Sequence, residues 1–350
     1  MTFWSLGWVL LLSGLVSAYA VYWNFAQRRQ MIGDGVHVAS YGFDLSTTLV
    51  PRDQIIAGGL RKDGLRALTN PRLLSPAEYD AENAQAHGKL LVPDDLVVGL
   101  LFHEEPRAYP LMILTLHEIA NDTIGAGPDA VHVAVTYNAL CDSVVVLDRT
   151  VAGTPFEFGV SGLLYNSNLL MYDRQADPGT ESLWSQLEWR AVAGPAAARG
   201  ATLRLLPFQL MHWSDWRKLH PETRVLARDP DLSEEYPRNH YSTYFATDEV
   251  KFKVQPAWDQ NVLPNKTHIA AVRLHAGWRV FVLPQLKGLS ADQRAAALQT
   301  GDPTFRLEFN PAAETLNALP LTPDAAPQVV DSFLFAWYAH HPNDMLRIPQ

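Results

Sequence analysis

Between Leu116 and Gln186 the chain repeatedly interrupts apolar runs with side chains that can do chemistry. His117, Glu118, Asn121 and Asp122 fall in LHEIANDTIG, and Cys141, Asp142 and Arg149 in VTYNALCDSVVVLDR. Ser161, Asn166, Asp173 and Arg174 lie in FGVSGLLYNSNLLMYDR, and Glu181 and Gln186 in TESLWSQ. Buried polar side chains need partners, so this density implies a structural hydrogen-bond network or a pocket. A thiol becomes a useful nucleophile only when a nearby imidazole or cation lowers its pKa. Cys141, His117 and Arg149 are therefore the candidate catalytic set. His117 and Cys141 are also candidate ligands for a divalent metal, since imidazole and thiolate are its common donors. Glu118, Asn121, Asp122, Ser161, Asn166, Asp173, Arg174, Glu181 and Gln186 are candidate ligand-binding residues. Each has a plain structural alternative that stays open at this level. A lone cysteine commonly serves as a small buried hydrophobe, His117 as a core histidine, and Asp173, Arg174 and Glu181 as an ion-pair network.

Two familiar motifs come close and fail, and a third is absent. His117-Glu118-Ile119-Ala120-Asn121 resembles the HExxH zinc helix, but Asn121 stands where the second imidazole is required. Gly159-Val160-Ser161-Gly162-Leu163 lacks the final glycine of the nucleophile elbow. No phosphate-cradling glycine loop of the G-x-x-x-x-G-K-[ST] kind occurs.

The elements that must position these residues belong to a folded chain of 350 residues, 47% hydrophobic and 19% charged. Length alone allows one large or two modest domains. A net charge of −9 argues against nucleic acid as partner, because such binding needs a positive field over the phosphates. A single cysteine excludes an internal disulfide and any multi-thiolate metal site. Residues 1–27 read as an N-terminal transmembrane anchor. Phe3 to Trp23 carries no ionisable side chain and is long enough to cross about 30 Å of hydrocarbon, with Trp and Tyr toward its ends. Ala18-Tyr19-Ala20 has the form of a signal-cleavage site, yet the segment before it has no Lys or Arg, which favours an uncleaved anchor.

After a lead-in at 28–59, residues 60–345 read as an α+β, sheet-dominated single large domain with short helices. Expected strands are 96–102, 131–137, 144–148, 156–160, 169–172, 269–274 and 279–283, each rich in β-branched or aromatic residues. Expected helices are 111–120, 213–219, 291–299 and 333–341, two of them stopped by His220-Pro221 and His341-Pro342. At a constant offset of 172 in the numbering, VVGLLFHEEPRAYPL overlays IAAVRLHAGWRVFVL. That repeat would place a strand, a tight turn and a second strand twice in one core.

The motif string His117–Asp122, Thr136–Asp142, Phe158–Arg174 and Thr180–Gln186, with the Trp213/Trp216 and Phe335-Ala336-Trp337 segments, resembles the bacterial and archaeal domain of unknown function 3179. The resemblance covers roughly residues 60–345 and implies an extracytoplasmic domain, against Arg28 and Arg29, which by charge alone hold the domain in the cytoplasm. It departs at one place. The family's Cys-x-x-Cys-Gly is Asn138-Ala139-Leu140-Cys141-Asp142 here, so a two-thiol role cannot operate. The expectation is a single-pass, membrane-anchored, extracytoplasmic protein with a polar pocket around Cys141. That pocket binds a metal ion or a small polar ligand, or the chain serves as an accessory subunit of a membrane complex. The alternative is an enzyme with Cys141 as nucleophile.

Overall fold

The computed structural model describes residues 32–85, 89–230, 232, 236, 241–322 and 324–344. The expected anchor at 1–27 lies outside the described residues, and among those described no helix is long and apolar enough to cross a membrane.

Strands Val131–Asn138 and Ser143–Asp148 form the middle of the molecule, paired antiparallel from Val133↔Asp148 to Asn138↔Ser143. Both read as near-continuous apolar runs because both faces are covered. Val133, Val135, Val144 and Val146 pack with Val98, Leu100 and Tyr109 on one side. Ala134, Val145 and Leu147 pack with Phe158, Leu169, Met171 and Trp184 on the other. Burying one such side chain contributes about 1.5–3 kcal/mol, so an unbroken run on a doubly covered strand is what burial selects. The central sheet runs in the order 277–282, 268–274, 329–333, 143–148, 131–138, 119–124, 68–69. A sheet of 55–57, 158–165, 168–173, 183–185 and 190–193 covers one face, and a sheet of 209–212, 96–102, 105–110, 224–226 and 73–74 covers the other. Tyr41, Leu45, Val50 and Ile55, within the expected lead-in, pack onto the first of these with Leu163 and Leu170. The α+β, sheet-dominated single domain with few, short helices is as expected.

The repeat is larger than its sequence trace. Strands Leu96–Phe102 and Glu105–Pro110 with helix Leu111–His117 correspond at the same offset to strands His268–Leu274 and Gly277–Val282 with helix Leu283–Gly288. Their registers agree: Val97 pairs with Pro110, and Ile269 with Val282. A third strand completes each copy. Leu210 pairs with Val98 in the first, and Asp331 with Ala270 in the second. Each third strand runs straight into a helix, Trp213–Leu219 or Leu334–His340. Each helix ends with a tryptophan over a histidine, Trp216 on His220 and Trp337 on His341, both with ring centroids 4.1 Å apart.

Expected boundaries shift where the backbone turns. Helix 111–120 stops at His117, because Glu118 takes φ 56° and sends the chain into strand Ile119–Ile124. The strand expected at 156–160 runs from Phe158 to Tyr165.

Candidate functional site

The polar residues of the 116–186 window do not converge on one hollow. Cys141 is fully buried in the apolar core, in one cluster with Ile119, Val145 and Phe333. Burial pushes its thiol well above the ordinary range, the reverse of what a nucleophile needs. His117 has both ring nitrogens engaged. Nδ1 donates to the Arg66 carbonyl at 2.6 Å, which leaves Nε2 to accept from the Tyr236 hydroxyl at 2.5 Å. Burial lowers its pKa and favours that neutral ring. Arg149 donates to the carbonyls of Phe156 and Asp122. The expected catalytic set is therefore three residues each occupied elsewhere. Among the described residues, no group of three or more His, Cys, Asp or Glu side chains could hold a metal ion.

The expected ligand-binding residues are spoken for in the same way. Asn121 brackets Phe158, donating to its carbonyl and accepting from its N–H. Asp122 accepts from Arg107 and the Tyr109 hydroxyl, both at 2.6 Å. Gln186 ties Thr136, Ser143 and Asn168 together in the core. Asn166 holds Gln255 and the Ala339 carbonyl, Ser161 donates to the Leu170 carbonyl of the neighbouring strand and accepts from the Leu163 N–H, and Asp173 holds the Ser182 N–H. Arg174 pairs with Asp63 and Glu157, and Glu181 with Lys62. Glu118 accepts from Asn138 at 2.9 Å, and burial lifts its carboxyl to about 7. A satisfied buried polar group fixes a fold and leaves nothing for a ligand to complete.

Unsatisfied groups meet elsewhere. A cavity of about 280 Å³ opens at the seam between the two copies of the repeat. Three pairs of equivalent positions line it: Leu96 with His268, Leu111 with Leu283, and Leu210 with Asp331. Asp142, Val144, Glu314, Thr315 and Ser332 complete most of the wall. Asp331 Oδ2 and Thr315 Oγ1 are both buried without a hydrogen-bond partner among the described residues, on residues only 6% and 2% exposed. Such an orphan costs roughly 1–3 kcal/mol, so two on one cavity call for a reason.

Charges surround them. Asp142 accepts from the Tyr137 hydroxyl at 2.7 Å and pairs with His268 Nδ1 at 3.1 Å. Glu314 is paired with Lys287. Burial first, then the Asp142 charge, raises Asp331 to about 8, against a smaller opposing pull from His268. Desolvation lowers His268, but its bond to Asp142 and the surrounding carboxylates outweigh that, so its net shift is upward. His268 is half exposed and stands at the mouth. Asp142 and Glu314 both sit in turns at positive φ, 44° and 51°. Non-glycine residues hold that region at a cost, and such strain gathers at functional sites.

Of this group the sequence reading named only Asp142, as a neighbour of Cys141. His268, Thr315, Glu314 and Asp331 were missed. A signal existed for one of them. At the offset of 172 His268 falls on Leu96, a titratable residue where the other copy is apolar, whereas Asp331 is matched to Leu210 only by the strand pairing.

Residues 62–325 match the family described as protein of unknown function (DUF3179), and the chain belongs to that family. No curated protein and no solved structure matches the chain.

Proposed function

We propose that this member of the DUF3179 family is a binding domain that holds a small polar ligand in the seam cavity, and that its apolar N-terminal stretch tethers it to a membrane with the domain on the extracytoplasmic side. One observation carries the binding reading: Asp331 and Thr315, which line the same cavity, each carry a buried polar atom, Oδ2 and Oγ1, without a hydrogen-bond partner among the described residues. Ligand pockets combine mostly apolar walls with a few convergent polar groups. Here Leu96, Leu111, Leu210, Ile269 and Leu283 supply the walls, and Asp331, Thr315, Asp142 and His268 the polar groups. A ligand that bonds the orphans recovers desolvation free energy that the empty fold has already lost. The tether rests on the charge-free run from Phe3 to Trp23.

A thermal-melt panel of small polar solutes on the full-length protein in detergent tests the binding reading. At least one solute is expected to raise Tm in the wild type and to do so much less in Asp331→Asn or Thr315→Val. Stabilisation of equal size in all three proteins would move the site elsewhere, and no stabilisation by any solute would end the reading. For the tether, the chain is expected to stay with the membrane fraction through alkaline carbonate washing; release into the supernatant counts against it.

A further inference from the structure

We infer that the ligand of the seam cavity is a compact organic monocation with N–H donors, an alkylammonium or a guanidinium, seated with its charged end on Asp331 and Thr315 and its stem against the leucines. This deepens the binding reading and rests on it. Around the cavity stand three carboxyl groups, Asp142, Glu314 and Asp331, against two cationic partners, His268 and Lys287. Two of the carboxylates have a partner, Asp142 in His268 and Glu314 in Lys287. Among the described residues Asp331 has no ion-pair partner, and the five groups leave one negative charge over when all are ionised. A buried charge is tolerated when paired and hydrogen-bonded. One monovalent cation supplies both, with N–H left to donate to the Thr315 hydroxyl. An anion would meet three carboxyls. The volume of about 280 Å³ admits several heavy atoms, and Leu96, Leu111 and Leu283 favour a short apolar stem over a bare hydrated ion.

Binding is coupled to a proton. Burial and the Asp142 charge push Asp331 up to about 8, so a cation that needs the carboxylate must expel its proton at neutral pH. Affinity then falls as pH drops below about 8, by up to roughly tenfold per unit. His268 works in the same direction, because its protonated ring competes for the same field. The charged groups acting on Asp331 are Asp142 and His268; Glu314, paired with Lys287, shares the cavity wall, and Tyr137 donates to Asp142.

Calorimetry with an isosteric series decides the class: n-butylammonium, n-butanol and butyrate against the full-length protein in detergent. Butylammonium is expected to bind, with proton release that changes the apparent heat between Tris and phosphate at pH 7. Asp331→Asn, its fold checked by an unchanged far-UV spectrum and a single cooperative melt, is expected to lose at least tenfold in affinity and the buffer dependence. Butanol or butyrate binding as well as butylammonium overturns the charge class and leaves the binding reading standing. A series that is silent while other solutes stabilise the protein through Asp331 also overturns only the class. Silence in both experiments overturns the two together.

Discussion

The two copies of the repeated unit share strand limits, register and the tryptophan-on-histidine helix end, yet only one carries charge at the seam. The first presents Leu96 and Leu210 to the cavity; the second presents His268 and Asp331. Backbone pairing is indifferent to side-chain chemistry, so a duplicated scaffold can keep its shape while one copy takes on polar groups. The stable copy shows what the frame requires, and the polar copy shows what was added at the expense of stability. Sites of this kind violate local rules that the rest of the fold obeys.

The comparison breaks first on its structural half. Trp216 and Trp337 are both fully buried, so Trp216→Ala and Trp337→Ala are each expected to cost about 3–5 kcal/mol in denaturant unfolding. A cost below about 1 kcal/mol in one of them would mean that the two helix ends are not equivalent. The next effect is asymmetric. A Cβ on Gly99 would stand 2.4 Å from the Trp216 ring, whereas the equivalent position beside Trp337 is already Ala271. Gly99→Ala is therefore expected to destabilise by about 1–3 kcal/mol, and Ala271→Gly by about 1 kcal/mol. Equal, negligible effects would say that the copies pack their tryptophans alike.

The functional half has the opposite sign. Asp331→Leu restores the residue of the first copy, and it is expected to stabilise the empty protein by about 1–2 kcal/mol at pH 8 while abolishing ligand-dependent stabilisation. Lower stability in the variant would show that Asp331 has a structural partner. The pH dependence tests the same carboxyl. Asp331 holds its proton more tightly folded than unfolded, so its contribution is fully present below about pH 4 and is lost as pH rises toward about 8. Wild-type stability is expected to fall across that window relative to Asp331→Asn, by at most about 1.4 kcal/mol per pH unit. Parallel profiles for the two proteins would mean an ordinary carboxyl. For Cys141 the expected effect is nil: iodoacetamide leaves the native thiol unmodified at neutral pH and labels it only in denaturant. Rapid native labelling would restore it as a reactive group.

Much of the frame was legible. Strand 96–102 and helix 213–219 fall where the pattern puts them, because β-branched runs and a His-Pro stop are local signals. Strand 105–110 was masked locally by the prolines and charges of EPRAYP and showed only through the repeat, and strand Phe305–Asn310 was hidden by having no β-branched residue despite clean alternation. The site was less legible for a different reason. Density of polar residues marked the 116–186 window, but density reports that buried groups exist and not whether they are satisfied. Gln186 and Asn121 turn out to be internal ties. Asp331 sits alone in the apolar run VVDSFLF, and its meaning depends on His268, Thr315 and Asp142, which reach it only through long-range pairing.

The most direct test is the titration of the Asp331 carboxyl by carbon-13 NMR in the ligand-free protein, assigned by its loss in Asp331→Asn. The account predicts a midpoint near 8 that moves down when a cationic ligand is added. A midpoint near 4, unmoved by any solute, would mean that the carboxyl is already solvated or paired and that the seam holds no place for a ligand.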